Sequence, residues 1–358
     1  MRLREWSIIA ALVVAAVSES PAAKQAKVYV EAVRELNEKH ARSPGKENEA
    51  VLAKQLPVSA TKALETLLET KSAEGLVEAL HAASDAALDL DRADDFAKIR
   101  ARLVEETPQD AAKLDTLLSR PRFVLRGTDG VDAKFLSHFA DVLDGVLVAY
   151  DEVFGFREWS KVPGKKLRVR VHLVDQIVAP PHFAPEFPFH SEIDFPVADT
   201  TRLESPTADK KFLLYGLCHE LGHVIAMWGA PRNEADHHAW ACYTGVAVLE
   251  HLAKMKDPPA WLADLQDAKW RSLTLERAAA KDVEPSTGSR AGVLSLLIAL
   301  HDRVGPQAIG SAINKLDAED KRLRVNRVRY YDFSSFERAL LEVVSDREKR
   351  REIEELLR

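Results

Sequence analysis

The sequence predicts an α+β protein, mainly helical, with a small sheet near the middle of the chain. Three features carry this expectation. The first third is rich in Ala, Leu, Glu and Lys, is nearly free of glycine, and spaces its apolar residues three and four apart, as in "SATKALETLLETKSAEGLVEALHAASDAALDL". The middle holds "KKLRVRVHLV", where Leu167, Val169, Val171 and Leu173 alternate with basic or polar residues at the period of a half-buried strand. The last third returns to helical spacing, interrupted by the Gly305-Pro306 break. A chain of 358 residues suits two or three domains, and an apolar fraction of 46% is enough for a true core.

The N-terminus reads "MRLREWSIIAALVVAAVSESPAAK". Arg2 and Arg4 make it basic, and Trp6 to Val17 is apolar on all sides but short for a bilayer crossing. Ala16 and Ser18 are small enough for cleavage, so residues 1–20 are expected to be a signal peptide that sends the protein to a periplasmic or extracellular space. The cleavage region has no cysteine for a lipid, and no other segment is long and apolar, so no stable membrane anchor is expected. Residues 21–120 follow as a helical region, helical to about Leu118, with starts at Ser59 and Ser72 and a break at "RSPGKEN". Charged residues make up 30% of the chain with a net charge of only -6 and no block of one sign, which argues against a nucleic-acid partner. The tail "DREKRREIEELLR" alternates its signs at helical spacing, as a solvated helix does.

The texture changes at "RPRFVLRGTDG", read as a short strand over Phe123 to Leu125 and a turn from Gly127 to Gly130. In the amphipathic helix that follows, Val131, Phe135, Phe139, Val142, Leu143, Val146 and Tyr150 fall on or near one face. After the 167–173 strand comes a proline-rich stretch, expected as a loop leading to a short edge strand over Glu192 to Val197. His172 takes a solvated strand position, and His182 and His190 belong to the loop or its rim. Helices resume from Lys210, and "FERALLEVV" starts near Ser334 or Ser335. Two segments result, 121–255 and 256–358.

Chemistry concentrates in "YGLCHELGHVIAMWGAPRNEADHHAWACY". His219 and His223 stand four apart, so a helix puts both imidazoles on one face, one turn apart, where they can share a metal ion. Zinc accepts nitrogen donors and tolerates an open position, and Glu220 beside them can serve as general base for a zinc-activated water. The apolar flanks "FLLYGLC" and "VIAMW" bury this helix, and buried histidines and a glutamate are costly unless a ligand or a hydrogen-bonded cluster satisfies them.

The third ligand comes from the next element, because no third histidine follows at the extended spacing. Asn233 can cap a second helix with Asp236 as its partner. At about 100° per residue, Glu234, His237, His238, Ala241 and Gly245 share a face while Asp236 points away. Glu234 is expected as the third ligand, with His238 one turn later as the alternative, then His237. The two cysteines, Cys218 and Cys242, flank this pair of helices as either a disulfide or two buried thiols. Cys218 points about 100° from His219 and is not expected to bind metal.

His219-Glu220-x-x-His223, with its preceding helix, strand, irregular segment and edge strand and the Asn233-Glu234 pair beyond, resembles the gluzincins, the thermolysin-like peptidase MA superfamily of zinc metallopeptidases. The resemblance runs from about Pro121 to the C-terminus. It implies a zincin-like catalytic domain at 121–255 closed by a helical subdomain at 256–358, a Zn2+ cofactor, Glu234 as third ligand, and a tyrosine or histidine to stabilise the oxyanion, with Tyr215, Tyr243, Tyr330 and Tyr331 as candidates. Three features depart from the family. The gap from His223 to Glu234 is short, His238 stands where an aspartate is common, and "WxxEGxA" is absent.

The expected function is therefore that of an exported zinc metallopeptidase acting on a peptide or protein substrate, with the 192–197 strand pairing with it. Nothing in the sequence fixes an oligomeric state. An alternative of a different class is a non-catalytic or degenerate zincin-like protein whose N-terminal helical region is a binding module. A zinc hydrolase of non-peptide bonds is a third.

Overall fold

The computed structural model describes residues 93–106, 115–128, 131, 133–156, 166–173, 182–184, 192–197, 208–226, 234–256, 261–262, 269–279, 290–318, 323–325, 328–330 and 333–357, with isolated helical positions at Lys24, Val28, Glu31 and Glu65. The expected signal peptide, the "RSPGKEN" break, the starts at Ser59 and Ser72, Asn233 and His190 lie outside these residues. The chain forms two compact units, Met1–Lys39 with Lys46–Leu114, and His40–Gly45 with Asp115–Arg358. In the first, α1 (Ala93–Glu106) buries Phe96 completely. No helix among the described residues is long and apolar enough to cross a membrane.

The second unit is mainly helical with one small mixed sheet, the α+β class expected. Its strands are β1 (Thr116–Ser119), β2 (Phe123–Thr128), β3 (Leu167–Leu173), β4 (His182–Ala184) and β5 (Glu192–Val197), in the order β1-β2-β3-β5-β4. β2, β3 and β5 run parallel, and β1 and β4 are antiparallel to their neighbours. Between β2 and β3 lies α2 (Ala133–Phe154), whose buried residues include Phe135, Phe139, Val142, Leu143, Val146 and Tyr150. Phe139 meets Phe195 of β5 at 5.0 Å between ring centroids, so the apolar stripe read from the sequence does face the sheet.

Three sequence expectations are corrected here. Thr116–Ser119 is a strand, not the end of the helical region, because β2 offers it an edge (Leu118 opposite Leu125), and pairing overrides the local preference. Gly127 belongs to β2, which continues to Thr128 against β3, rather than to a turn. A Cβ at Gly127 would come within 2.6 Å of Leu136 Cδ1, so this glycine marks the close approach of α2. The 192–197 strand is also not simply an edge. His182–Ala184, between Pro181 and Pro185, keeps enough amide donors to pair with it, Phe183 opposite Ile193. That pairing stops at Asp194, so among the described residues only the Phe195–Val197 half of β5 lies at the sheet's outer edge.

The helices that follow are α3 (Ala208–Ala226), α4 (Glu234–Ala253), α5 (Trp270–Ala279), α6 (Arg290–Val304), α7 (Pro306–Ala318), α8 (Phe333–Val343) and α9 (Arg347–Leu356). A hairpin, β6 (Leu323–Val325) with β7 (Val328–Tyr330), precedes α8. α9 opens on an N-cap at Asp346, whose carboxylate accepts from the amides of Glu348 and Lys349 at 2.9 and 3.0 Å. α4 is the hub. Trp240 meets Phe336 of α8 edge-on at 4.9 Å, and Arg271 of α5 donates to Glu250 of α4 and Asp302 of α6. α2 is tied to α3 by the Tyr150 hydroxyl, which donates to the Cys218 carbonyl oxygen at 2.6 Å.

α3 and α4 cross antiparallel and very close. A Cβ at Gly222 would lie 2.5 Å from the Ala241 carbonyl oxygen and 2.8 Å from its Cα, and one at Gly245 would lie 3.1 Å from the Cys218 carbonyl carbon. Backbone thus packs on backbone at Gly245, and at Gly222 the backbone of Ala241 is joined by the Thr244 hydroxyl, 2.6 Å from where that Cβ would lie. We predict that Gly222→Ala lowers stability by about 1–3 kcal/mol, as overpacking does, measured by urea unfolding. A wild-type midpoint would refute the close crossing.

Candidate metal centre

The α3–α4 crossing brings four imidazoles together. His219 and His223, one turn apart on α3, have ring centroids 4.6 Å apart and planes at 82°. From α4, His238 stacks on His219 at 5.8 Å and 8°, and meets His223 at 4.7 Å and 78°. Each of these three offers one ring nitrogen, and the three donor atoms lie within 4.8 Å of one another. Zinc–nitrogen bonds of about 2.0–2.1 Å put tetrahedral donors about 3.4 Å apart, so small ring rotations suffice for a shared ion. His237, the fourth, stacks on His223, with the two Nδ1 atoms 3.0 Å apart.

The electrostatics suit a cation. Burial, together with the charges of His219, His237, His238 and Arg290, holds His223 well below the usual histidine range. Burial and His238 lower His237 to about 4. At neutral pH these rings are uncharged and keep lone pairs, the form in which imidazole binds metal. Glu220 follows the first donor in the chain and is only 5% exposed, so the HExxH helix is buried as its apolar flanks predicted.

Of the residues expected to act, His219, Glu220, His223 and His238 all lie at this crossing. Glu234 is the first residue of α4, one turn before His238, and its side chain and that of Asp236 lie outside the described residues. The cysteines are not joined: both are buried thiols, and burial pushes that of Cys218 far up, leaving it neutral. Cys242 does face the site. Its Sγ lies 3.6 Å from His219 Nδ1 and accepts from the Tyr215 hydroxyl, also at 3.6 Å. The Tyr215 ring in turn stacks on His219 at 6.0 Å and 18°. Tyr243 is buried with its hydroxyl 3.1 Å from His301 Nδ1, among Trp240 and Phe154. The side chains of Tyr330 and Tyr331 lie outside the described residues, and His172 stays half-buried on β3. The contacts of Cys242 and Tyr215 went unread in the sequence, although each stands four residues from a histidine of its own helix, Cys242 from His238 and Tyr215 from His219.

Comparisons add no family. A scan against protein-family models matches none, and a search of curated proteins finds no match. Among solved structures, the chain is similar to "the crystal structure of a functionally unknown conserved protein mutant from Bacillus anthracis str. Ames", at a TM-score of 0.38 and 12% identity over 74% of this chain. It spans 55% of the length of that protein.

The lowered histidines set a pH dependence. Folded His237 binds its proton near pH 4 and an unfolded histidine near 6.5, so in this interval the unfolded chain holds more protons. Stability is therefore intact above about 6.5 and is lost as pH falls towards about 4, with His223 acting in the same sense. The urea midpoint of the metal-free protein is expected to drop across this window, and less steeply in His237→Gln. Identical slopes would count against burial of neutral rings.

Proposed function

We propose that the protein is a zinc-dependent hydrolase of peptide bonds, a zincin-like metallopeptidase of the exported class. The observation that carries this reading is the convergence of His219, His223 and His238, with the buried Glu220 next to His219 in the chain. The donor set is chemically apt, since three neutral imidazoles can hold zinc and leave a position open. When bound, zinc supplies Lewis acidity that polarises a carbonyl and makes water more acidic.

The residues of the chain do the rest. Glu220, kept from bulk solvent, takes a proton from the attacking water and returns it to the leaving amine nitrogen. His219 and His223 would hold the ion from one helix turn. Among the described side chains, the grouping with His219 and His223 supports His238 as the third donor. The gluzincin resemblance favours Glu234, one turn earlier on α4, and a histidine in that role is a departure from the family. α3 packs beside β4 and β5, so the outer edge at Phe195–Val197 is the place for an extended substrate to add as a strand. Pro196 offers that strand a carbonyl and no amide donor.

Glu220→Gln should keep stoichiometric zinc and lose about 10²–10⁴-fold in kcat/KM on a quenched fluorescent peptide library. If the variant cleaves as fast as wild type, the peptidase reading is wrong. Metal content also separates the third donors: His238→Ala is expected to lose zinc at a chelator concentration that Glu234→Ala withstands, and the reverse order would restore Glu234.

A further inference from the structure

The two α3 histidines are each met from behind by a side chain of α4. His219 presents Nδ1 to the sulfur of Cys242 at 3.6 Å, and His223 presents Nδ1 to Nδ1 of His237 at 3.0 Å. In both rings the second nitrogen is Nε2. The first contact is itself braced, because Tyr215 stacks on His219 and directs its hydroxyl to the same sulfur. The second is braced by the stacking of His237 on His223, with planes at 25°.

We infer that Cys242 and His237 are positioning residues that fix the tautomer and orientation of His219 and His223, so that both deliver Nε2 to one cation. This rests on the metal reading above and extends it to side chains that touch neither ion nor substrate. A neutral imidazole that gives Nε2 to a metal carries its proton on Nδ1, so Nδ1–H must donate. For His219 the acceptor is the Cys242 sulfur, and the His223 contact takes the same form when the proton of His237 sits on its buried Nε2. Metal-binding histidines are commonly oriented this way by a carboxylate or carbonyl. Here both acceptors are a thiol and an imidazole, supplied by the helix that also carries His238.

The test is zinc affinity by chelator competition on the full chain, paired with the absorption spectrum of the cobalt form. Cys242→Ala and His237→Ala remove the acceptors, and each is expected to weaken zinc by about 10–100-fold. Cys242→Ser and His237→Asn keep an acceptor near the same point, and each should stay within about threefold of wild type with an unchanged cobalt spectrum. Alanine variants that bind zinc like wild type would overturn the proposal. So would serine and asparagine variants that lose as much as the alanines, since bulk rather than the hydrogen bond would then matter. A sulfur-to-cobalt charge-transfer band in wild type would make Cys242 a ligand and overturn its positioning role. A wild-type chain that takes up no zinc at all would remove the metal reading itself, an outcome distinct from wild-type uptake with indifferent variants.

Discussion

The candidate site depends on one contact, the glycine-lined crossing of α3 and α4. Gly222 lies against the backbone of Ala241, and Gly245 against that of Cys218. Any Cβ in that seam would push the helices apart, and imidazoles reach only a few ångströms from the backbone. Close axes let His237 and His238 touch the histidines of the facing helix directly. The glycines forgo helix propensity, roughly 1 kcal/mol each relative to alanine. Packing across the seam must offset that loss, and Tyr150 helps by anchoring the Cys218 carbonyl from α2.

The same closeness makes the metal-free protein an uneasy structure. Several imidazoles packed in a largely buried seam cannot all take up protons, and His223 and His237 bear this out in their lowered basicity. Hydrophobic packing around α4 supplies the compensation: Trp240, Tyr243, Val246, Val248 and Leu249 are almost entirely buried. A cation that binds only the folded arrangement would further stabilise it.

Much of this was legible in the sequence, and the parts that were not share a cause. Periodicity found α2 and β3, the apolar flanks of the histidines found α3, and Gly305-Pro306 marked the break, because each of these signals is local. His219 and His223 were legible for the same reason, being one turn apart on one helix. Thr116–Ser119 and His182–Ala184 were misread because three or four residues become a strand only when a neighbour offers an edge, and that neighbour is distant in sequence. Gly127 was taken for a turn because a glycine that makes room for Leu136 looks the same in sequence as one that bends the chain. The role of Cys242 was hidden by its own chemistry. Two cysteines in a chain with an export-like start suggest a bond to each other, and that reading drew attention from the histidine that Cys242 faces.

The choice of neutral groups at the crossing has a consequence for how the site would work. Three imidazole donors cancel none of a divalent cation's charge, whereas a carboxylate in the third place cancels half. On the proposed reading, His219, His223 and His238 would leave a bound cation its full charge, and with it more Lewis acidity than two histidines and a carboxylate would. A thiol and an imidazole behind the ligands, in place of carboxylates, push in the same direction, because a neutral acceptor raises ligand basicity less than an anion does. On that reading Glu220 would be the carboxylate on which proton transfer turns, and its burial limits the screening of its charge by water. On the proposed reading, a seam built from two glycines and a cluster of histidines would hold a cation's charge in a small volume, with groups that fold neutral into an apolar helix pair.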